Sequence, residues 1–390
     1  MKRRKALITA DWHLGKTYNS KSLLPFQKRI LEWLVNKAID EQVEWFIIAG
    51  DVYDKRRPNR EEIQVFEELL YKLDTAGINI LVVAGNHDGD VLTLYSSLLV
   101  KHSKGQVHLI KAGNSQSPAF HKVFTINRFS FYALPYINRQ LCLEILDNAG
   151  VSLDESFDGS PLDALVQHWI ADLEDPDRTL IISHLLPSSL TGTEAGSDEV
   201  VGQMMPVNPE SFKSIKGVFS GHIHRPLTID PNLTFAGSPF HLHPSDKYEP
   251  SALIVTVSED ISIEKIGNLP TIFHKITIST EEDLSDIPNL SPNQYYIFKI
   301  ASTDRKLSEH LHKQLLENLP EDITSSIEFE TGSIPVRSFA ETSITHDLHQ
   351  YTPISLIKTY AKEVHETDLT EEELRIITEI LENLDNDEAM

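Results

Sequence analysis

Short, largely apolar, strand-like runs recur along the first two thirds of the chain, at about 5–9, 45–49, 80–84, 107–110, 130–134, 179–183, 217–220, 233–236 and 252–257. Each is the length of a strand, too short for a buried helix. Between the first two, Phe26, Ile30, Leu31, Leu34, Val35, Ala38 and Ile39 fall on one stripe at helical spacing. That spacing predicts a helix over 24–40, with Pro25 in its first turn. A second helix is predicted over 60–76, with Ile63, Phe66, Leu69, Leu70 and Leu73 on its apolar face. Asn59 and Glu62 have the spacing of a capping box, and Gly77 stands where a helix stops. Strand–helix–strand repeats imply a central sheet covered by helices, an α/β arrangement.

After about residue 268 the pattern changes to strand (271–278), strand (295–301), helix (307–318) and strand (325–330), a small α+β unit. A helix pair is predicted beyond it, at roughly 353–364 and 370–384. Its second member carries Leu374, Ile376, Ile377, Ile380, Leu381 and Leu384 on one apolar face, with Thr370 and Glu373 as a capping box. The expected division is therefore 1–267, 268–339 and 340–390.

Composition adds exclusions. With 35 basic and 58 acidic side chains the net charge is −23, which argues against a general nucleic-acid coat protein. It does not exclude an enzyme that grips a polyanion through metal ions and a local basic patch. The one cysteine, Cys142, rules out an internal disulfide framework and an all-thiolate metal site, and is expected to be a small buried apolar residue. Trp33 and Trp45 are expected in the core. No apolar run approaches the roughly 20 residues of a membrane helix, and the basic start MKRRK leads into no signal-peptide core. A soluble cytoplasmic protein without membrane contact is expected.

The chemistry sits at strand ends. ALITA leads into Asp11 and His13, WFIIAG into Asp51 and Asp54, and ILVVAG into Asn86, His87 and Asp88. LIIS leads into His184, and VFSG into His222 and His224. In parallel α/β sheets, ligand sites lie beyond the carboxyl ends of strands, so five such motifs can converge. Two carboxylates, one amide and four imidazoles form an oxygen/nitrogen donor set without sulfur, suited to Mn²⁺, Fe²⁺ or Zn²⁺. Seven donors exceed the needs of one ion, so two are implied. Asp51 is the natural bridge; Asp11, His13 and His224 could hold one ion, and Asn86, His184 and His222 the other. Paired metals clamp the attacking and leaving oxygens of a phosphoryl displacement. His87 is left over and could protonate the leaving oxygen, with Asp54 orienting His87 or the substrate. Lys16, Lys55, Arg56, Arg57, Arg60 and Arg225 flank these motifs, either as a solvated surface or as contacts to substrate phosphates. His241 and His243 have no partner at a strand end and are expected to serve a loop or core role.

The set D-x-H, GDxxD, GNHD, a lone His and GHxH resembles the calcineurin-like metallophosphoesterase signature. Within that superfamily TADWHLGK, GDVYD, AGNHD, ISH and GHIHRP are similar to the SbcD-type nucleases, as are YALPYI at 132–137, the loop at 192–207 and AGSPF at 236–240. HLHPSDKYEP after AGSPF departs from that likeness. The resemblance implies a four-layer sandwich with a capping α+β domain and a C-terminal helix pair that docks an SbcC-type ATPase. It implies metal ligation by Asp11, His13, Asp51, Asn86, His184, His222 and His224, with His87 catalytic. It also implies two Mn²⁺ ions, 3′→5′ exonuclease action on duplex DNA and endonuclease action on single strands or hairpins, in repair, recombination and replication. The assembly it implies is a homodimer joined to two ATPase subunits, with dimer helices at about 60–76 and 90–102, the latter through Leu92, Leu94, Leu98 and Leu99. Another reading is a phosphatase or phosphodiesterase acting on a nucleotide or phosphoprotein with the same metals. A third is a non-catalytic ATPase scaffold, which the intact donor set opposes.

Overall fold

The computed structural model describes residues 4–88, 106–153, 157–190, 204–229, 232–302, 304–329 and Leu374. Two six-stranded sheets dominate it. The first contains β1 (Arg4–Thr9), β2 (Trp45–Ala49), β3 (Asn79–Val83) and β4 (Val107–Ile110). The second contains β5 (His121–Ile126), β6 (Phe129–Leu134), β7 (Thr179–His184), β8 (Gly217–Gly221), β9 (Leu227–Thr228) and β10 (Leu233–Phe235). The chain then returns to the first sheet through β11 (Ala252–Val257) and β12 (Ile261–Ile266). The orders are β12-β11-β1-β2-β3-β4 and β9-β10-β8-β7-β6-β5. β1 to β4 are mutually parallel, as are β6, β7, β8 and β10. The outer strands β5 and β9, and the β11–β12 pair, run antiparallel to their neighbours.

Alternation of side chains along these strands builds the layers. Ala6, Ile8, Ile47, Leu81 and Val83 point from the first sheet toward Phe129, Phe131, Leu180, Ile182 and Phe219 of the second. The Trp45 ring stacks on Phe124 of the second sheet with centroids 3.6 Å apart. On the outer face of the first sheet, Leu7, Phe46, Ile48, Ile80 and Val82 bury against α1 (Leu24–Asp40) and α2 (Arg60–Thr75). On the outer face of the second, Ile181, Val218 and Phe235 bury against α3 (Arg139–Asn148) and α4 (Pro161–Ala171). The result is the expected helix–sheet–sheet–helix sandwich. Cys142 is buried as expected, whereas Trp33 is only partly buried.

The predicted capping box at α2 is present: Asn59 accepts from the Glu62 N–H, and Glu62 accepts from the Asn59 N–H. The small α+β segment consists of β13 (Phe273–Ile278), β14 (Tyr295–Ile300), α5 (Arg305–Asn318) and β15 (Thr324–Phe329) in the predicted order. Its strands form a three-stranded sheet ordered β13-β14-β15. The chain divides into two compact units. One comprises Met1–Ile276, Ile287–Phe298 and Leu319–Ser326; the other comprises Thr277–Asp286, Lys299–Asn318 and Ile327–Met390, described up to Phe329 and at Leu374. The predicted helices at 90–102 and 353–364 lie outside the described residues, as does all of 370–384 but Leu374, which is helical. Among the described residues no helix is long and apolar enough to cross a membrane.

Removing the α2 cap tests the local account. Asn59→Ala is expected to lower stability by about 1 kcal/mol, as lost N-caps do, in urea-unfolding titrations of wild type and variant.

Candidate metal centre

Every predicted donor except His184 follows a parallel strand directly; His184 is the last residue of β7. The turn after β1 carries Asp11 and His13, that after β2 carries Asp51, that after β3 carries Asn86, and that after β8 carries His222 and His224. The two sheets present these ends side by side. Three groups of potential ligand atoms form, each with all its atoms within 4.8 Å of one another: Asp11, His13 and His224; Asp51, His184 and His222; and His13, Asp51 and His87. Asn86 joins the second group, because its Oδ1 lies 3.0 Å from His184 Nε2. His13 and Asp51 each belong to two of the groups. The structure thus gathers all seven sequence-predicted donors and puts His87 against them.

The backbone at these turns is strained in a consistent way. Asp11, His13, Asp51 and His222 have φ of 54°, 42°, 53° and 90°. Left-handed conformations at non-glycine residues cost of order 1–3 kcal/mol each and persist where the surroundings enforce them. Here the surroundings do so by hydrogen bonding. Trp12 N–H and His13 N–H both donate to the Asp51 carbonyl, at 2.9 and 3.0 Å, and Asp11 N–H donates to the Gly50 carbonyl. His222 N–H donates to Asp11 Oδ1 at 2.9 Å, joining the two sheets. Gly85 permits a close approach: a Cβ there would collide with the Asp51 carboxylate and backbone.

Second contacts set the tautomers. His184 Nδ1 lies 3.0 Å from the Ala49 carbonyl, which can only accept, so Nδ1 carries the hydrogen. Its Nε2 is therefore turned toward Asp51 Oδ2, 3.3 Å away, as a ligating imidazole requires. His87 Nδ1 likewise donates to the Asp54 carbonyl at 2.8 Å. Asp54 thus orients His87 through its backbone, while its carboxylate lies 3.5 Å from His13 Nδ1 and 3.6 Å from Lys16 Nζ. His241 and His243 stay in their own loop, bound to the Tyr248 carbonyl and Ser245 Oγ.

Asp88 and Ser238 contribute to the centre without having been legible in the sequence. Asp88 accepts from the N–H groups of Val52, Tyr53 and Gly85 at 2.9, 3.2 and 2.9 Å, tying the turn of Asn86 to that of Asp51. Ser238 Oγ donates to the Asp11 carbonyl and its N–H to the His224 carbonyl, at 2.9 and 2.7 Å. Asp88 stood inside a motif without an assigned role. AGSPF offered Ser238 only through its resemblance.

The donor set fits divalent metal ions. Asp11 Oδ2 and both ring nitrogens of His13 are buried without a hydrogen-bond partner among the described residues. Buried polar atoms left this way are costly unless something coordinates them. Burial pushes Asp11 up to about 6, against the pull of His184. Burial also opposes ionisation of Asp51, but His184, His13 and His87 together hold its carboxyl below the ordinary range. Burial opposes protonation of His184, yet Asp51 and Asp11 outweigh it and push the imidazole up to about 9. Burial, reinforced by neighbouring imidazoles, lowers His222 to about 3 and takes His224 well below its usual value. Those two rings are ready to ligate at neutral pH, whereas His184 must first lose a proton.

A family model described as calcineurin-like phosphoesterase matches residues 4–226. Among solved structures, a dimetal phosphatase from Danio rerio is similar to 68% of this chain and 96% of its own, at 14% identity and a TM-score of 0.40.

Two outcomes follow from this geometry. Metal binding should release a proton below about pH 9, so apparent affinity should fall as pH falls below that value; calorimetry in buffers of different ionisation enthalpy measures the released proton. Gly85→Ala, which drives a methyl group into Asp51, should remove most bound metal in equilibrium dialysis while the chain still unfolds cooperatively.

Proposed function

The chain belongs to the calcineurin-like phosphoesterase family, and we propose that within this family of metal-dependent phosphoester hydrolases it is an SbcD-type DNA nuclease subunit. The observation that carries the nuclease reading is the segment leaving Asp54. Lys55, Arg56, Arg57 and Arg60 are exposed and make no ion pair with any described residue. In a chain of net charge −23, an exposed cationic run that follows Asp54 and is without an ion pair among the described residues suits phosphate binding. The GDVYD and AGNHD forms and the C-terminal extension support the same reading.

Bound divalent ions, proposed to be Mn²⁺, would polarise the scissile phosphate and activate water. Asp11, His13 and His224 would hold one, and Asn86, His184 and His222 the other, with Asp51 shared. The protein's own groups do the rest. His87, with Nδ1 fixed on the Asp54 carbonyl, presents Nε2 as its proton-exchanging atom; as an imidazolium it can protonate the leaving 3′ oxygen. The cations at 55–60 align the phosphate backbone. The proposed partner is an SbcC-type ATPase that supplies most of the DNA-binding surface, two such subunits joining a homodimer of this chain through its C-terminal region. The proposed products are those of 3′→5′ exonucleolytic digestion of duplexes and endonucleolytic opening of single strands and hairpins.

The test is cleavage of labelled duplex, hairpin and single-stranded DNA by the purified protein with Mn²⁺, with and without the ATPase. Cleavage is expected, and His87→Gln should lower it by about 100-fold or more with metal binding retained. Intact DNA beside rapid turnover of a nucleotide or phosphopeptide would assign the phosphatase reading instead. Replacing Lys55, Arg56, Arg57 and Arg60 together by Gln should raise KM for DNA and flatten its salt dependence, with kcat little changed.

A further inference from the structure

Gln27 lies in the first turns of α1, and its side chain is completely buried. It faces the turn that carries His13. Its Nε2 donates to the Trp12 carbonyl at 3.0 Å and to the His13 carbonyl at 2.8 Å. Its Oε1 accepts from Gly15 N–H at 3.1 Å. Two carbonyls and one N–H leave a single orientation for the amide, and both of its donors are used.

The turn so held needs an external hold. His13 has φ 42° and Gly15 φ 90°, so residues 13 to 15 continue neither strand nor helix, Leu14 making an isolated parallel bridge to Tyr53. The N–H groups of Trp12, His13 and Leu14 are taken by the Asp51 and Val52 carbonyls. On the opposite side of the turn, the Trp12 and His13 carbonyls are met by Gln27, the His13 carbonyl also accepting from Lys16 N–H at 3.0 Å. The His13 ring itself is not anchored by any hydrogen bond among the described residues: its nearest carboxylates, on Asp54 and Asp51, lie at 3.5 and 3.6 Å. The direction of this imidazole is therefore set by its backbone together with edge-on packing against the His87 and His224 rings, whose centroids lie 4.8 and 5.0 Å away. The second half of the centre is held differently, through His184 Nδ1 on the Ala49 carbonyl and Asp88 on three backbone N–H groups. Its links to the first half are His222 N–H on Asp11 Oδ1 and the shared Asp51, and none of these contacts passes through α1.

We infer that Gln27 is a positioning residue for the metal half-site of Asp11, His13 and His224: its carboxamide clamps the Trp12–Gly15 turn and thereby aims His13, while the half-site of Asn86, His184 and His222 does not depend on it. The inference rests on the two-metal reading proposed above. Groups that orient a metal ligand typically contribute about 10- to 100-fold to metal affinity. Gln27→Met keeps length and bulk but removes every hydrogen bond. Gln27→Glu keeps the acceptor and sets an anion against two carbonyls.

The experiment is Mn²⁺ titration of the full chain, followed by electron paramagnetic resonance and by metal analysis after gel filtration. Wild type should hold two ions per chain with the spectrum of an exchange-coupled pair. Both Gln27 variants should lose about 10- to 100-fold in affinity for one ion only, leaving an isolated Mn²⁺ spectrum at sub-saturating metal. Leu31→Val, a core change in the same helix, controls for lost helix stability and should keep the pair. If Gln27→Met does not accumulate as folded protein, Gln27→His, which retains one ring donor, is read in the same way and should give a smaller loss of the same kind. A wild type holding fewer than two ions would sink the two-metal reading and this inference with it. A normal pair in wild type with two equally tight, coupled ions in the folded Gln27 variants would sink the inference alone. Equal weakening of both ions would also overturn it, by showing that α1 supports the centre as a whole.

Discussion

Two carboxylates and four imidazoles crowded into overlapping clusters, most of them buried, cannot all find protein partners. Burial raises the cost of every charge among them, and their mutual attractions compensate only in part. The rest of the molecule is organised around tolerating that crowding. Strained left-handed turns at Asp11, His13, Asp51 and His222 bring the donors together. Cross-links such as His222 N–H to Asp11 and His184 to Ala49 keep them there. The atoms left over, Asp11 Oδ2 and the His13 ring nitrogens, are those a cation would satisfy.

The sandwich explains why residues more than 200 positions apart can share this work. Each sheet brings parallel strand ends to the same edge, and the apolar layer between the sheets, from Ile8 to Phe219 and from Trp45 to Phe124, fixes their spacing. The first sheet supplies Asp11, His13, Asp51 and Asn86, and the second supplies His184, His222 and His224. The hydrogen-bonded turns are short, so displacement of one sheet against the other moves both halves of the donor set. A rigid hydrophobic interface thus sets the distance between chemically reactive groups.

Much of this was legible in the sequence because the signals were local. The stripe from Phe26 to Ala38 gave α1 its observed limits, and Asn59 with Glu62 marked the start of α2. The donors were legible because each sits at the end of an apolar run. Elements with little buried surface escaped. β12 is exposed along most of its length, β5 is an outer strand with an irregular register at Lys122–Phe124, and α3 fully buries only Cys142 and Leu146. α4 was missed for the opposite reason: its first six residues are all buried, so no single stripe stood out, although Ser160 and Asp163 form a capping box. Gln27 and Asp88 could not be assigned because their roles lie in hydrogen bonds to backbone groups elsewhere in the fold.

The position of β1 has one more implication. It lies between β2, which follows it closely in the chain, and β11, which arrives about 240 residues later and pairs with it from Arg4 to Ile8. The family match ends at residue 226, before β11 begins. A polypeptide cut at that point, or one still emerging from the ribosome, would contain all seven donors but leave one side of a central strand unpaired. Such a strand is an adhesive edge, open to pairing with another chain. The catalytic signature is therefore shorter than the smallest piece that can carry it safely, and closure of the first sheet is reserved for the last strands of the sandwich to be synthesised.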